Sequence, residues 1–583
     1  MTRIAIVEKQ KCKPDKCGWL CMKMCPMNRT GKECITQGED HKARISEALC
    51  TGCGICPKRC PFGAITIINL PEELTKTPIH RYGQNQFALY SLPTPMFGKV
   101  VGILGKNGIG KSTAIKILAG ALEPNLGDFT KKADIKQLIE YFRGSEAQTF
   151  FEKVRDKQIV ASYKPQNVDA IPKMYKGKVR GLLEKVDERK QLEDIADKLG
   201  ITSILDNEIE TISGGELQRV AIAACVLKKA NLYIFDEPTS YLDIKQRLKV
   251  SGFIKELADE DTAVLVVEHD LIILDYMTDL VHIMYGKEGA YGVVGLPKTA
   301  KVAINVYLSG YLKEENIRFR EKKIEFFAKP PVKKQRREQL IAWPEMDKRL
   351  GRFELTASPG KLDRRVVVGV LGENAIGKTS FVKMLAGVIQ PDSGELDLKI
   401  KVSYKPQYLT ATDDLVANVL HEAVRKYSSA LIEPLQIMPL LMSKLSELSG
   451  GELQRVAICL CLAQDADLYL LDEPSAYLDV EQRLLISKLL KDLMEERGKT
   501  ALVVDHDLLF IDYISDELMV FEGVPAERGR STGPYEMMDG MNLFLKDLRM
   551  TFRRDPESKR PRANKPGSVK DREQIAENKL YYV

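Results

Sequence analysis

The sequence predicts an α/β protein built from two copies of one module in tandem, behind a small cysteine-rich domain. Three observations carry this. The stretch Ile212–Asp243, ISGGELQRVAIAACVLKKANLYIFDEPTSYLD, returns at Leu448–Asp479 as LSGGELQRVAICLCLAQDADLYLLDEPSAYLD, with the same step from Ser213 to Asp236 as from Ser449 to Asp472. A repeat this long without an insertion is one structural unit used twice. The pattern GxxxxGK[ST] also occurs twice, at Gly105–Ser112 and Gly372–Thr379, and nine of the twelve cysteines fall within the first 60 residues.

Composition bounds the rest. A chain of 583 residues is too long for one core and suggests three or four domains. Hydrophobic residues at 44% and charged ones at 29% are ordinary for a globular protein in water. The +6 balance is a mild excess that argues little unless it clusters. No apolar run approaches the roughly 18 residues of a membrane span, and the N-terminus MTRIAIVEKQKC has no signal-peptide pattern. A cytoplasmic location is expected, which argues against a disulfide framework for the cysteines.

Each GxxxxGK[ST] run follows an apolar strand, KVVGIL or VVVGVL, and opens a helix. That context makes it a phosphate-binding loop. Gly105, Asn107, Gly108 and Gly110 turn backbone N–H groups toward the phosphates, and the helix N-terminus at Lys111, Ser112 and Thr113 adds partial positive charge. Lys111 is placed for the β/γ-phosphates and Ser112 for Mg²⁺. Gly372, Asn374, Gly377, Lys378, Thr379 and Ser380 repeat the arrangement, with Ala375 where the first loop has Gly108.

The repeated segments resemble the signature and Walker B motifs of the ABC ATPases. The resemblance assigns Ser213, Gly214, Gly215 and Glu216, with Ser449, Gly450, Gly451 and Glu452, to the signature. It makes Asp236 and Asp472 holders of the Mg²⁺ shell, and Glu237 and Glu473 the bases that polarise water. Tyr163-Lys-Pro-Gln166 and Tyr404-Lys-Pro-Gln407 resemble the Q-loop, whose glutamines sense Mg²⁺ and the attacking water. His269 and His506 match the switch histidine, and Asp243 and Asp479 the D-loop. Tyr82 and Phe87 stand where such proteins stack an aromatic on adenine. In this superfamily the signature of one module completes the phosphate site of the other. Ser213 and Gly215 would cap ATP on Lys378, and Ser449 and Gly451 would cap ATP on Lys111.

Cys50, Cys53, Cys56 and Cys60-Pro61 form CxxCxxCxxxCP, the bacterial ferredoxin run. Its partner run is Cys12, Cys17, Cys21 and Cys25-Pro26, with wider gaps. Zinc also uses runs of this kind, but the doubled Cys-Pro ending favours iron–sulfur clusters. Resemblance to two-cluster ferredoxins implies one [4Fe-4S] cluster on Cys25, Cys50, Cys53 and Cys56. It puts the other on Cys12, Cys17, Cys21 and Cys60, leaving Cys34 as a non-ligand. No flavin or haem motif follows, so a structural or mechanical role is expected over electron transfer.

Gly105 to Gln166 spans 61 positions against 35 from Gly372 to Gln407, so the first module carries an insertion at about 131–157. Ile135, Leu138, Ile139 and Phe142 keep helical spacing, Arg143-Gly144-Ser145 breaks it, and Phe150, Phe151 and Val154 resume it. A helix–loop–helix on one module only is expected to be a contact surface. The basic stretches 318–342 and 549–572 are expected to touch RNA or to pack as hinges.

Clusters followed by twin cassettes, with a helix–loop–helix in the first, closely resemble the ABC-E class, the RNase L inhibitor family. The resemblance implies a ferredoxin-like α+β domain at 1–75, a first ABC domain at 76–315, a basic hinge at 316–345, a second ABC domain at 346–545 and a basic hinge or tail at 546–583. It implies a cytosolic, monomeric ATP hydrolase that splits ribosomes into subunits after termination or rescue. Cofactors would be ATP, Mg²⁺ and two [4Fe-4S] clusters. Partners would be the small ribosomal subunit and its RNA, a release or rescue factor, and initiation factors. Of the rivals, a transporter pair needs membrane partners, and a DNA-repair clamp needs a long coiled coil for which the gap is too short. An ATP-coupled iron–sulfur redox protein is the alternative from another class.

Overall fold

The computed structural model describes residues 3–46, 49–69, 77–321, 323–326, 338–396, 400–407 and 409–581. Most of the basic linker, 327–337, lies outside them. The chain divides into two compact units. The first comprises Met1–Pro238, Phe253–Glu268 and Thr278–Glu321, and the second comprises Thr239–Gly252, His269–Met277 and Lys322–Val583. Thr239–Gly252 and His269–Met277 thus belong to the second unit.

In the first unit the cysteine-rich segment forms two small antiparallel sheets, Arg3–Val7 with Ile65–Asn69 and Ile35–Gln37 with Ala43–Ile45. Short helices lie between them, and the core includes Cys12, Cys21, Cys25, Cys34 and Cys56. The cassette that follows is a mixed sheet. Its order is His80–Arg81, Ala88–Leu89, Tyr291–Val294, Leu280–Lys287, Val100–Leu104, Ala263–Val267, Leu232–Asp236 and Ala161–Lys164. The strands from Leu280–Lys287 to Ala161–Lys164 run parallel. VVGIL, LYIFD and AVLVV are fully buried, as expected of strands covered on both faces.

The expected insertion is two helices, Ile135–Tyr141 and Glu146–Arg155. Asp134 and Gln137 form a capping box at the first. Leu138, Phe150 and Phe151 turn inward onto the cassette core beside Ile117 and Leu118.

The second unit repeats the sheet. Its order is Met346–Leu350, Phe353–Ala357, Arg528–Glu536, Glu517–Val524, Val367–Leu371, Thr500–Val504, Leu468–Asp472 and Val402–Lys405. Part of the C-terminal tail packs, one of the two roles expected of it. Arg560 is 0% exposed and donates to Asp275, which also takes two bonds from Arg562, while Arg554 grips Asp512. A buried guanidinium persists only when paired, so Arg560 and its neighbours serve packing, while Arg549, Arg553, Lys559, Lys565, Lys570 and Arg572 of the stretch 549–572 are exposed.

Among the described residues, no helix is long and apolar enough to cross a membrane.

Candidate functional site

The candidate residues of each cassette gather at the carboxyl ends of the parallel strands, the usual ligand edge of an open α/β sheet. Val100–Leu104 leads into the first phosphate loop and Leu232–Asp236 ends in Asp236-Glu237. Ala161–Lys164 leads to Gln166. The second unit repeats this with Val367–Leu371, Leu468–Asp472 and Val402–Lys405.

Lys111 opens the helix Lys111–Leu118, and its Nζ folds back to the carbonyls of Gly105 at 2.8 Å and Lys106 at 2.6 Å. Lys378 bonds Gly372 O at 2.9 Å and also Glu373 O. Burial pushes the Lys378 ammonium down to about 8, against the pull of Glu473, Asp243, Asp472 and Glu373. Gly110 has φ +91, and a Cβ there would meet Phe87 Cζ at 2.4 Å, so only glycine fits under that ring.

Asp236 and Asp472 lie in the strand cores, where burial raises both carboxyls. The hydroxyls of Ser112 and Thr379 hold them back down. Asp236 Oδ1 and both carboxyl oxygens of Asp472 are buried without a hydrogen-bond partner of ordinary geometry. Buried oxygens beside a loop hydroxyl suit a hard cation such as Mg²⁺.

Glu237 and Glu473 adopt left-handed φ of +47° and +48°, a costly conformation for glutamate. The neighbours explain how it persists. Gln218 Nε2 donates to Glu237 O at 2.7 Å, and Lys164 Nζ to Asp236 O at 3.0 Å. Gln454 and Lys405 do the same in the second unit, at 2.6 Å to Glu473 O and 2.8 Å to Asp472 O. The glutamate side chains are then met by the Q-loop: Gln166 Nε2 donates to Glu237 Oε1 at 2.8 Å and Gln407 Nε2 to Glu473 Oε1 at 2.9 Å. Burial lifts the Glu473 carboxyl, which moves it toward the range of a useful base. Sequence reading missed Gln218, Gln454, Lys164 and Lys405, although SGGELQ and YKPQ repeat all four.

His506 is buried and held neutral, its pKa far below the usual value through burial and then the Lys378 and Arg247 charges. Its Nε2 stands 3.6 Å from Glu473 Oε1. Asp270 and Asp507, the residues after the two histidines, pair with Arg247 at 3.0 Å and Arg483 at 2.7 Å. Burial, with the Asp507 charge, pushes Asp270 up to about 6.

Ser213 and Ser449 are N-caps of the signature helices Gly214–Val226 and Gly450–Leu462. Glu216 and Glu452 close their capping boxes, so these carboxylates serve the helix ends. Within the second unit, Asp243 Oδ2 accepts from the Asn374 N–H at 3.0 Å, joining the D-loop to a phosphate loop, and Lys245 pairs with Glu373 at 2.7 Å. Asp479 caps the helix Val480–Arg497.

Tyr82 and Phe87 differ in place. Tyr82 is 51% exposed, with its hydroxyl 3.1 Å from Thr113 Oγ1, while Phe87 is wedged beneath Gly110. Phe353 packs on Gly377 as Phe87 does on Gly110, and the sequence reading did not single it out.

Cys12, Cys17, Cys21 and Cys60 line one cavity with Trp19, Ala43 and Phe62. Burial, and after it the neighbouring thiols Cys17, Cys12 and Cys60, push Cys21 up to about 11. Cys56 is pushed up to about 12 by burial and then by Cys50, Cys53, Cys21 and Cys25. Such crowded thiols suit a cationic iron cluster that favours thiolate. Cys34 lies against Cys25 and Cys50. Among the described residues, no group of three or more His, Cys, Asp or Glu could hold a single metal ion.

Comparison with known proteins decides the family. A family described as "ABC transporter" matches residues 96–240 and 355–476, "Possible Fer4-like domain in RNase L inhibitor, RLI" matches 2–33, and "4Fe-4S binding domain" matches 43–66. "ABC transporter E family member 1" of Arabidopsis thaliana is 46% identical over 100% of this chain and 99% of its own. The chain belongs to the RNase L inhibitor (ABC-E) family. Another family member, "Translation initiation factor RLI1" of Saccharomyces cerevisiae, is 43% identical over 100% of this chain and 98% of its own. The solved structure "Model of ribosome-bound archaeal Pelota and ABCE1" is 52% identical, with TM-score 0.93 over 100% of this chain and 99% of the other. A second, of archaeal ribosomal stalk protein aP1 with archaeal ribosome recycling factor aABCE1, is 51% identical, with TM-score 0.83 over 87% and 99%. As a family member with two ABC ATPase domains and an iron–sulfur domain, the chain is an ATP-hydrolysing enzyme.

Proposed function

We propose that this chain is an ATP-driven ribosome recycling factor, which splits ribosomes into subunits after termination or rescue. The observation that carries it is full-length likeness to the ribosome-bound archaeal structure with Pelota. The archaeal recycling factor with stalk protein aP1 supports it. Partners are then the ribosome, with its small subunit and RNA, a rescue factor of the Pelota kind and a stalk protein. The yeast relative's name adds initiation factors. The protein acts as a cytoplasmic monomer. The redox alternative gains nothing from these relatives.

Lys111 and Lys378 take the β/γ-phosphates of two ATP molecules, and Tyr82 meets one adenine. Ser213 with Gly215 caps the nucleotide on Lys378, and Ser449 with Gly451 caps that on Lys111. ATP thereby favours a closed state by binding it better. Glu237 and Glu473 accept a proton from water, which Gln166 and Gln407 orient, while His269 and His506 contact the γ-phosphate. Ser112, Asp236 and Gln166, and likewise Thr379, Asp472 and Gln407, would hold magnesium, which when bound would supply charge against the phosphate oxygens. Two [4Fe-4S] clusters, on Cys12, Cys17, Cys21 and Cys60 and on Cys25, Cys50, Cys53 and Cys56, would stiffen the small domain that closure moves.

The test is a sucrose gradient of ribosomes with this protein, Mg-ATP and a rescue factor. Free subunits should accumulate with the whole chain and not with one lacking residues 1–75. Intact ribosomes despite rapid ATP turnover would overturn the reading.

A further inference from the structure

His506 is 7% exposed, and neither of its ring nitrogens has a hydrogen-bond partner among the described residues. A histidine that works on a substrate is normally turned into place by a carboxylate or carbonyl on its second nitrogen. Here two carboxylates flank it in the chain, Asp505 and Asp507, and both are engaged elsewhere. Asp507 caps the helix Leu508–Ile514 through Phe510 N at 2.9 Å and pairs with Arg483. The ring is therefore aimed by its backbone.

Asp505, 3% exposed, fixes that backbone at both ends. Its Oδ1 accepts from Asp507 N at 2.9 Å, which closes an Asx turn across His506. The same carboxylate reaches the glutamate turn: Oδ2 accepts from Ser475 N at 2.9 Å and Oδ1 from Ser475 Oγ at 2.6 Å. Ser475 stands two residues beyond Glu473, and Pro474 between them stiffens the link. The strands complete the frame, with Glu473 N donating to Val504 O at 2.8 Å. Histidine and glutamate are thus indexed to one side chain, and His506 Nε2 stands 3.6 Å from Glu473 Oε1. The residue type is demanding. All three partners are donors, so the group must accept at both oxygens, which only a carboxylate does. An Asx turn is open to Asp and Asn alone, so Glu268, at this place in the first module, cannot repeat it.

We propose that Asp505 is a positioning residue of the second site, holding the γ-phosphate histidine in step with the catalytic glutamate. The inference rests on His506 contacting the γ-phosphate, as proposed above. The phosphate and the attacking water must meet the two side chains together, and a misplacement of about 1 Å costs on the order of 100-fold in rate. Asp505 acts on that geometry through His506 and touches neither nucleotide nor water itself.

Single-turnover ATP hydrolysis by the whole, iron-loaded protein in a Glu237→Gln background reads the second site. Asp505→Asn keeps the shape but turns an NH₂ group toward one of the three donors. It should slow hydrolysis of bound ATP about 30-fold and leave half-saturating ATP within about twofold. Ser475→Ala removes only the hydroxyl and should slow it about threefold. A residue that merely braced the fold would lower the melting temperature and leave the rate on bound nucleotide alone. The deciding comparison is a cycle with His506→Ala: once the ring is gone, Asp505→Asn should add less than about twofold. Parental hydrolysis in Asp505→Asn would overturn the proposal, as would an undiminished loss of about 30-fold on top of His506→Ala. Where Asp505→Asn fails to fold, Ser475→Ala passes through the same cycle and decides. His506→Ala as fast as its parent would instead remove the reading beneath, that this ring touches the γ-phosphate.

Discussion

The two cassettes use the same parts with different fittings. Both hold the glutamate after Walker B in a left-handed turn, tied by the same glutamine and lysine. Around that shared centre the sequence diverges. The first phosphate loop has Gly108 at φ +70°, and the second has Ala375 at φ +57°. The first has Lys106 where the second has Glu373, which pairs with Lys245. The first alone carries the helical insertion. Chemistry is thus duplicated, while the surroundings that set rate and communication are not.

The largest test of that contrast removes the shared part. Glu237→Gln with Glu473→Gln should cut ATP turnover at least about 100-fold, the usual scale for losing a positioned base, and trap nucleotide on the protein. Each single variant, followed by single-turnover hydrolysis, then gives one site's share. Equal residual rates would mean that the differing surroundings do not matter to chemistry.

A smaller effect should come from pH at the second site. Empty, Lys378 sheds its proton near pH 8 because burial disfavours the ammonium, and bound phosphates favour the charged form. Below 8 binding should leave its protonation unchanged. Above 8 binding must take up a proton, so affinity should fall by up to about tenfold per pH unit. Calorimetry in buffers of different ionisation enthalpy, in a Lys111→Ala background, reads the proton directly. No uptake at pH 9 would contradict the burial argument.

Backbone strain should give less. Ala375→Gly removes the penalty of a side chain at positive φ, of about 1 kcal/mol, partly offset by the freer unfolded chain. Gly108→Ala should destabilise the first cassette, because its Cβ would sit 2.6 Å from Glu288 Cγ. Thermal unfolding of the two variants should move in opposite directions. Least of all, Lys245→Glu should cost at most about 1 kcal/mol, as for other partly exposed pairs. Adding Glu373→Lys should restore the loss if the pair is what matters.

Much of this was legible in the chain. The phosphate loops, the Asp-Glu strand ends and the insertion's two helices came from spacing that local structure enforces. The Gln166 and Gln407 contacts with the glutamates follow from repeated motifs at matched places. The tail's two readings could not be told apart, because a run such as Arg553 to Arg562 has the same composition whether its guanidinium groups face water or Asp275. Phe353 was overlooked because a lone aromatic in a strand has no periodic signature.

The sequence by itself determined which groups exist and in what local geometry, since glycine turns, caps and strand periodicity act over a few residues. Only the tertiary structure decided who meets whom: Asp275 with Arg560, Asp243 with Asn374, Asn85 with Ala5 and Ile45. Those partners stand 285, 131, 80 and 40 positions apart, and a buried hydrogen bond at such separation leaves no mark on the spacing of either residue, because it depends on how finished elements pack.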